Sequence, residues 1–135
     1  MSKSTPRSKA LVLIQKLSRI KAADDDGLAV CVTCGASHHW TEMDGGHFLA
    51  KGSSSRWALE EQNVHAQCRP CNRFGQQFGS SSQAFTLYMI DLYGRDEVER
   101  MLSTKSETKK MYKADYMDLI SYLKEQIKFH EERLG

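Results

Sequence analysis

Two Cys-x-x-Cys pairs, Cys31-Val-Thr-Cys34 and Cys68-Arg-Pro-Cys71, are separated by 33 intervening residues and use every cysteine of the chain. At this spacing four thiolates converge on one tetrahedral ion, each pair acting as a chelating loop. Any fold must then bring the two ends of the intervening segment together, so that segment is expected to be a clamped hairpin. Gly35, directly after the second cysteine, suits the tight turn of a metal knuckle, because glycine tolerates positive φ. With all four positions taken by protein, the expected zinc is structural and leaves no place for a reactive water. In so small a chain its binding energy is also folding energy. No apolar run is long enough for a signal-peptide core or a membrane span, so a reducing cytoplasm is expected, where cysteines ligate metal rather than form disulfides.

Periodicity places helices on either side of the clamp. Thr5 and Pro6 open a helix whose Ala10, Leu13, Ile14, Leu17 and Ile20 share one face, ending near Ala23. Asp24-Asp25-Asp26-Gly27 breaks it and reads as a solvated linker. Leu28–Val32 is strand-like, and His38, His39 and Trp40 fall at an expected loop tip. Residues 47–50 and 63–67 read as the two strands of the hairpin, joined through a Lys51-Gly52-Ser53 turn, with Trp57 and Leu59 packing inward. The second Cys pair turns into a helix from about Asn72. Gly79 to Ser82 reads as a break in which Ser82 caps the next helix. Phe85, Tyr88, Met89 and Leu92 stripe that helix, and a short one follows over 96–102. A long final helix from about Lys109 carries Tyr112, Tyr116, Leu119, Ile120, Leu123 and Ile127 as core or dimer seam.

The clamped segment is rich in groups that do chemistry. Hydrolysing a phosphodiester needs a base for the attacking water and a cation for charge on the phosphate. His47 suits the base, since imidazole titrates near neutrality, and the carbonyl of Asn63 is a candidate to orient its second nitrogen. Asp44 and Asn72 offer oxygen ligands for magnesium or manganese, with His65 as a further catalytic or ligand group. Asp44 lies three residues before His47, so a turn at Gly45-Gly46 is expected to redirect it. Together, DGGH, NVHAQCRPCN and, downstream, YGRDEVERML resemble the HNH, or ββα-metal, nuclease pattern and more closely the phage NinG/Rap recombination nucleases over about residues 31–133. The Cys71-Asn72 junction is similar to that of phage endonuclease VII. The resemblance implies His47 as general base, Asn63 as its orienting partner, Asn72 as a ligand of the catalytic metal, and zinc on Cys31, Cys34, Cys68 and Cys71. It also implies the substrate class, branched recombination intermediates such as Holliday junctions and D-loops. The pattern is departed from at Gly46, where a metal-binding Asp or His is usual, and at Asn72, where the usual residue is histidine.

Net charge is only +2, so total charge does not announce a nucleic-acid partner, but its distribution does. Residues 1–22 carry Lys3, Arg7, Lys9, Lys16, Arg19 and Lys21 with no acid, and Lys51, Arg56, Arg69 and Arg73 are the expected DNA contacts of the clamped segment. The expectation is a single α+β domain. It comprises a basic N-terminal helix and linker (1–27), a zinc-stapled ββα-metal, HNH-like core (28–78) and a helical C-terminal part (79–135). A homodimer would place two sites on one branched DNA. A zinc-stapled DNA-binding module without catalysis is the alternative.

Overall fold

The computed structural model describes residues 4–74 and 80–135. Helix α1 spans Pro6–Ala22, with the Thr5 hydroxyl accepting from the Ser8 amide and Ser8 bonding back to the Thr5 amide. This reciprocal cap satisfies two groups that a helix start otherwise leaves unpaired. Strands β1 (Leu28–Val30) and β2 (Ser37–His39) pair antiparallel around the first Cys pair. The predicted loop tip at His38 and His39 is thus a strand. All three β2 residues are exposed, so no alternation of apolar and polar side chains marked it.

The main hairpin is β3 (Met43–His47) with β4 (Val64–Cys68), antiparallel, Met43 opposite Cys68 and His47 opposite Val64. Helix α2 (Arg69–Phe74) follows β4 directly, three residues earlier than the sequence indicated. The first strand also ends at His47 instead of starting there. Gly45 and Gly46 disguise it, since glycine disfavours strands, yet both are needed. A Cβ on Gly45 would lie 2.6 Å from the α1 backbone at Gln15, and one on Gly46 would run into the Gln67 side chain. Neither adopts positive φ, so the expected turn between Asp44 and His47 is absent and the strand runs straight through.

Helices α3 (Ser80–Tyr93), α4 (Arg95–Thr104) and α5 (Lys113–Leu134) complete the chain. Ser80 to Ser82 are already helical where a break was expected; Gly79 lies outside the described residues. The apolar stripe of α1 packs on α5, with Ala10, Ile14, Leu17 and Ile20 against Leu123 and Ile127, and Val64 of the hairpin joins the same cluster. Each such Ile or Leu contributes about 1.5–3 kcal/mol relative to exposure. Of the stripe of the final helix, Leu123 and Ile127 are core, Tyr116, Leu119 and Ile120 are partly buried against it, and Tyr112 is exposed. A second cluster holds Leu49 and Trp57 against Phe85, Met89, Val98 and Met101. Trp57 is 2% exposed and donates its indole N–H to Thr104 Oγ1 at 2.9 Å. Among the described residues no helix is long and apolar enough to cross a membrane.

Candidate metal centre and cleft

The four cysteine sulfurs lie within 4.8 Å of one another. Zinc–sulfur bonds of about 2.3 Å in a tetrahedron place sulfurs about 3.8 Å apart, and Cys34 Sγ stands 3.7 Å from Cys68 Sγ. Gly35, at φ +77°, closes the knuckle, and the amides of Thr33 and Cys34 point at Cys31 Sγ at 3.4 and 3.5 Å. Burial would raise the Cys31 thiol, but backbone donors around it outweigh that and bring it down to about 7. Burial and the neighbouring thiols push Cys71 up instead. Crowded sulfurs of opposed tendency are what a divalent cation reconciles by taking all four as thiolates. The donor set fits a structural metal such as zinc, held by Cys31, Cys34, Cys68 and Cys71. Among the described residues it is the group of three or more His, Cys, Asp and Glu side chains that converges closely enough to hold an ion.

At the other end of the hairpin, His47 lines a cleft of about 280 Å³ with Gln15, Gly45, Ala50, Lys51, Gly52 and Asn72. Its Nε2 lies 2.8 Å from the Ala58 carbonyl. A carbonyl oxygen only accepts, so Nε2 carries the proton and the lone pair of the neutral ring is on Nδ1. Burial lowers the His47 pKa most, and Lys51 and Arg7 lower it further, against the raising effect of Ala58. The imidazole is thus neutral at neutral pH, the form that accepts a proton.

Asn63 does not orient His47 through its own carbonyl. Fully buried, it accepts from the Leu49 amide at 2.8 Å and donates to the carbonyls of Leu49 and Trp57 at 3.0 and 3.1 Å. Its amide ties the two ends of the connecting loop together, and the loop then presents Ala58 to His47. Asn63 acts on the histidine at one remove.

Asp44 faces Asn72 and two arginines. Its Oδ2 accepts from Asn72 Nδ2 at 3.0 Å and Arg73 Nε at 3.3 Å, and Oδ1 lies 3.8 Å from Arg69 Nε. Because only the amide nitrogen of Asn72 can donate, its Oδ1 is left for another partner. His65 lies elsewhere: on β4 opposite Gly46, 6% exposed, its ring among Phe85, Tyr88 and Tyr93 of α3. Its Nε2 meets the Gln62 carbonyl at 2.9 Å and the Tyr93 hydroxyl at 3.2 Å, and burial takes its pKa down to about 4. The structure brings His47 and Asn72 into one cleft, with Asp44 bonded behind Asn72, and sets His65 apart.

Of the four expected DNA contacts, Lys51 lines the cleft, and Arg69 and Arg73 flank it through Asp44. Arg56 is turned away, its guanidinium 4.2 Å over the Trp57 ring and 3.4 Å from Glu60. Sequence reasoning missed Ala58, which contributes a backbone carbonyl and so has no side-chain signature. It also missed Gln15, whose place beside the buried stripe gives no hint of the hairpin it meets.

Fold and site together define a small α+β protein in which a cysteine tetrad able to hold a structural metal clamps a hairpin bearing a histidine-containing cleft. The chain matches the family model described as Bacteriophage Lambda NinG protein over residues 5–132, nearly its whole length, and it belongs to the NinG family. Neither curated proteins nor solved structures gave a match.

Proposed function

We propose that this protein is a metal-dependent endodeoxyribonuclease that cuts branched recombination intermediates, Holliday junctions and D-loops, in phage DNA recombination. The observation that carries the reading is the tautomer of His47. Its Nε2–H is fixed on Ala58, and the basic Nδ1 takes no hydrogen bond among the described residues. In the proposed reaction Nδ1 removes a proton from water, the water oxygen bonds to phosphorus, and the bond to one deoxyribose oxygen breaks, that oxygen leaving with the electron pair and gaining a proton from solvent. Lys51 offers positive charge to the phosphate. A magnesium or manganese ion, implied by the HNH resemblance, would find the free Oδ1 of Asn72, and it would supply charge neutralisation at the phosphate and departing oxygen. Asp44 is a poor donor while Asn72, Arg69 and Arg73 hold it, so the protein alone offers a hard cation few ligands.

That neutralised carboxylate favours a second reading, a zinc-stapled module that binds DNA without cutting it. One assay separates the two. Labelled four-way junction, flap and linear duplex are incubated with zinc-loaded protein in magnesium and in manganese, with His47→Ala alongside. Cleavage of branched DNA by the parent and its loss in the variant, with zinc content unchanged, supports the nuclease. Binding with no cleavage by either protein establishes the module. A homodimer belongs to the same proposal, and sedimentation with and without junction DNA tests it.

A further inference from the structure

The cations around the His47 cleft fall into two groups. Arg69 and Arg73, which flank it, are paired with Asp44. Arg7 and Lys51 form no ion pair among the described residues, although they are held side by side. Arg7, in the first turn of α1, donates from Nη2 to the Lys51 backbone carbonyl at 3.1 Å, across 44 residues of sequence. That bond draws a guanidinium to the rim of the cleft that Lys51 and His47 line. Two unpaired positive charges beside a histidine repel each other and disfavour its protonation, and both are felt at His47. An anion between them removes the repulsion.

We propose that Arg7 is a phosphate-binding residue of the His47 cleft, acting with Lys51 on the phosphodiester of the DNA strand; this rests on the nuclease reading above. A guanidinium has five N–H donors in a planar fork that matches phosphate oxygens, and the contact to Lys51 uses one of them. The basic first helix is then part of the site, and α1 has two tasks, covering the core with its apolar stripe and delivering a cation with its first turn. As the phosphate takes on further negative charge in the transition state, unpaired cations stabilise it more than cations already satisfied by carboxylates.

The test uses the zinc-loaded full chain carrying His47→Ala, so that DNA stays intact. Affinity for a four-way junction is measured from about 50 to 200 mM salt, with and without Arg7→Gln. The expected result is a loss of roughly five- to tenfold in affinity and a fall of about one in the log–log salt slope. Arg7→Lys, which keeps the charge, restores the slope. A merely structural brace on the Lys51 carbonyl would leave the slope unmoved, and an unmoved slope in Arg7→Gln overturns the inference. If Arg7→Gln lowers the melting temperature, Arg7→Met, which keeps the aliphatic stem without the charge, carries the same slope measurement at a temperature where it is folded. Cleavage lost in His47→Ala with no Arg7 effect on the slope overturns this inference alone. Cleavage that survives His47→Ala beside a reduced slope removes the nuclease reading and keeps the phosphate contact, and a parent protein without DNA affinity overturns both.

Discussion

His47 and His65 stand on the two strands of one hairpin, and each gives its Nε2–H to a backbone carbonyl, Ala58 in one case and Gln62 in the other. Burial depresses both. What separates them is one residue of register: His47 lies opposite Val64, whereas His65 lies opposite Gly46, so the two rings leave the sheet on opposite faces. One face meets α1 and an open cleft lined by Lys51 and Asn72; the other meets three aromatic rings of α3. Each histidine is fixed at one nitrogen, and what differs is the surroundings of the rest of the ring: a polar cleft for His47, aromatic side chains for His65.

The comparison collapses if the clamp is removed, which is the largest expected effect. Cys68→Ser should lose the metal and cooperative folding with it, since a structural zinc of this kind carries about 10 kcal/mol or more of apparent binding energy. Circular dichroism and metal analysis check this; a folded, metal-free variant would contradict the clamp. Next, the proposed role of His47 predicts that His47→Ala lowers junction cleavage by about 10²- to 10⁴-fold while His65→Phe retains cleavage in proportion to its folded fraction. The depressed His47 pKa keeps its base form present below pH 6.5, so the acidic limb of the rate profile should fall below the ordinary histidine value. A limb at or above that value would break the assignment.

Asn63→Ala tests whether His47 depends on its loop. It would leave the Leu49 amide and carbonyl unpaired in the interior and take one of two donors from the Trp57 carbonyl, which keeps the Glu60 amide, at a cost of roughly 2–4 kcal/mol, and should lower cleavage beyond the loss of folded protein. Denaturant melts and rates at saturating stability separate the two effects. The smallest effect concerns His65 and pH. Its folded pKa is depressed to about 4 from 6.5, so the unfolded chain binds the proton first. Its neutral, packed state stabilises the fold fully above pH 6.5, and that contribution drains as pH falls from about 6.5 to about 4, by roughly 3 kcal/mol in all. His65→Phe should flatten stability over that window. An unchanged pH dependence in that variant would show that the aromatic wall is not what holds His65 neutral.

Legibility followed the range of the causes. The cysteine tetrad could be read because its spacing is written in the chain, and α1 and α5 because a 3.6-residue stripe is local. That those two stripes face each other was not readable, since Ile14 and Leu123 meet only through the tertiary fold. β3 was placed too late because its Gly-Gly core looks like a turn. The reason for both glycines, the α1 backbone and the Gln67 side chain, lies on other elements. In the site, His47 and Asn72 were legible as residue types, but the Ala58 carbonyl that sets the tautomer belongs to a residue with no polar side chain. That Arg69 and Arg73, expected as DNA contacts, also pair with Asp44 was not readable, because charge in a sequence does not show which charges meet.

The last turn of α5 has a consequence for assembly. Arg133 donates from Nη2 to the carbonyls of Ile20 and Ala23, closing the end of α1 from 113 residues away in the chain. Contacts of such long range form late, after their loop-closure entropy has been met. The apolar face of α1 is therefore covered only when α5, far along the chain, has docked on it. Because the same helix forms a wall of the His47 cleft through Gln15, the shape of the cleft depends on the docking of α5 even though α5 contributes no residue to its lining.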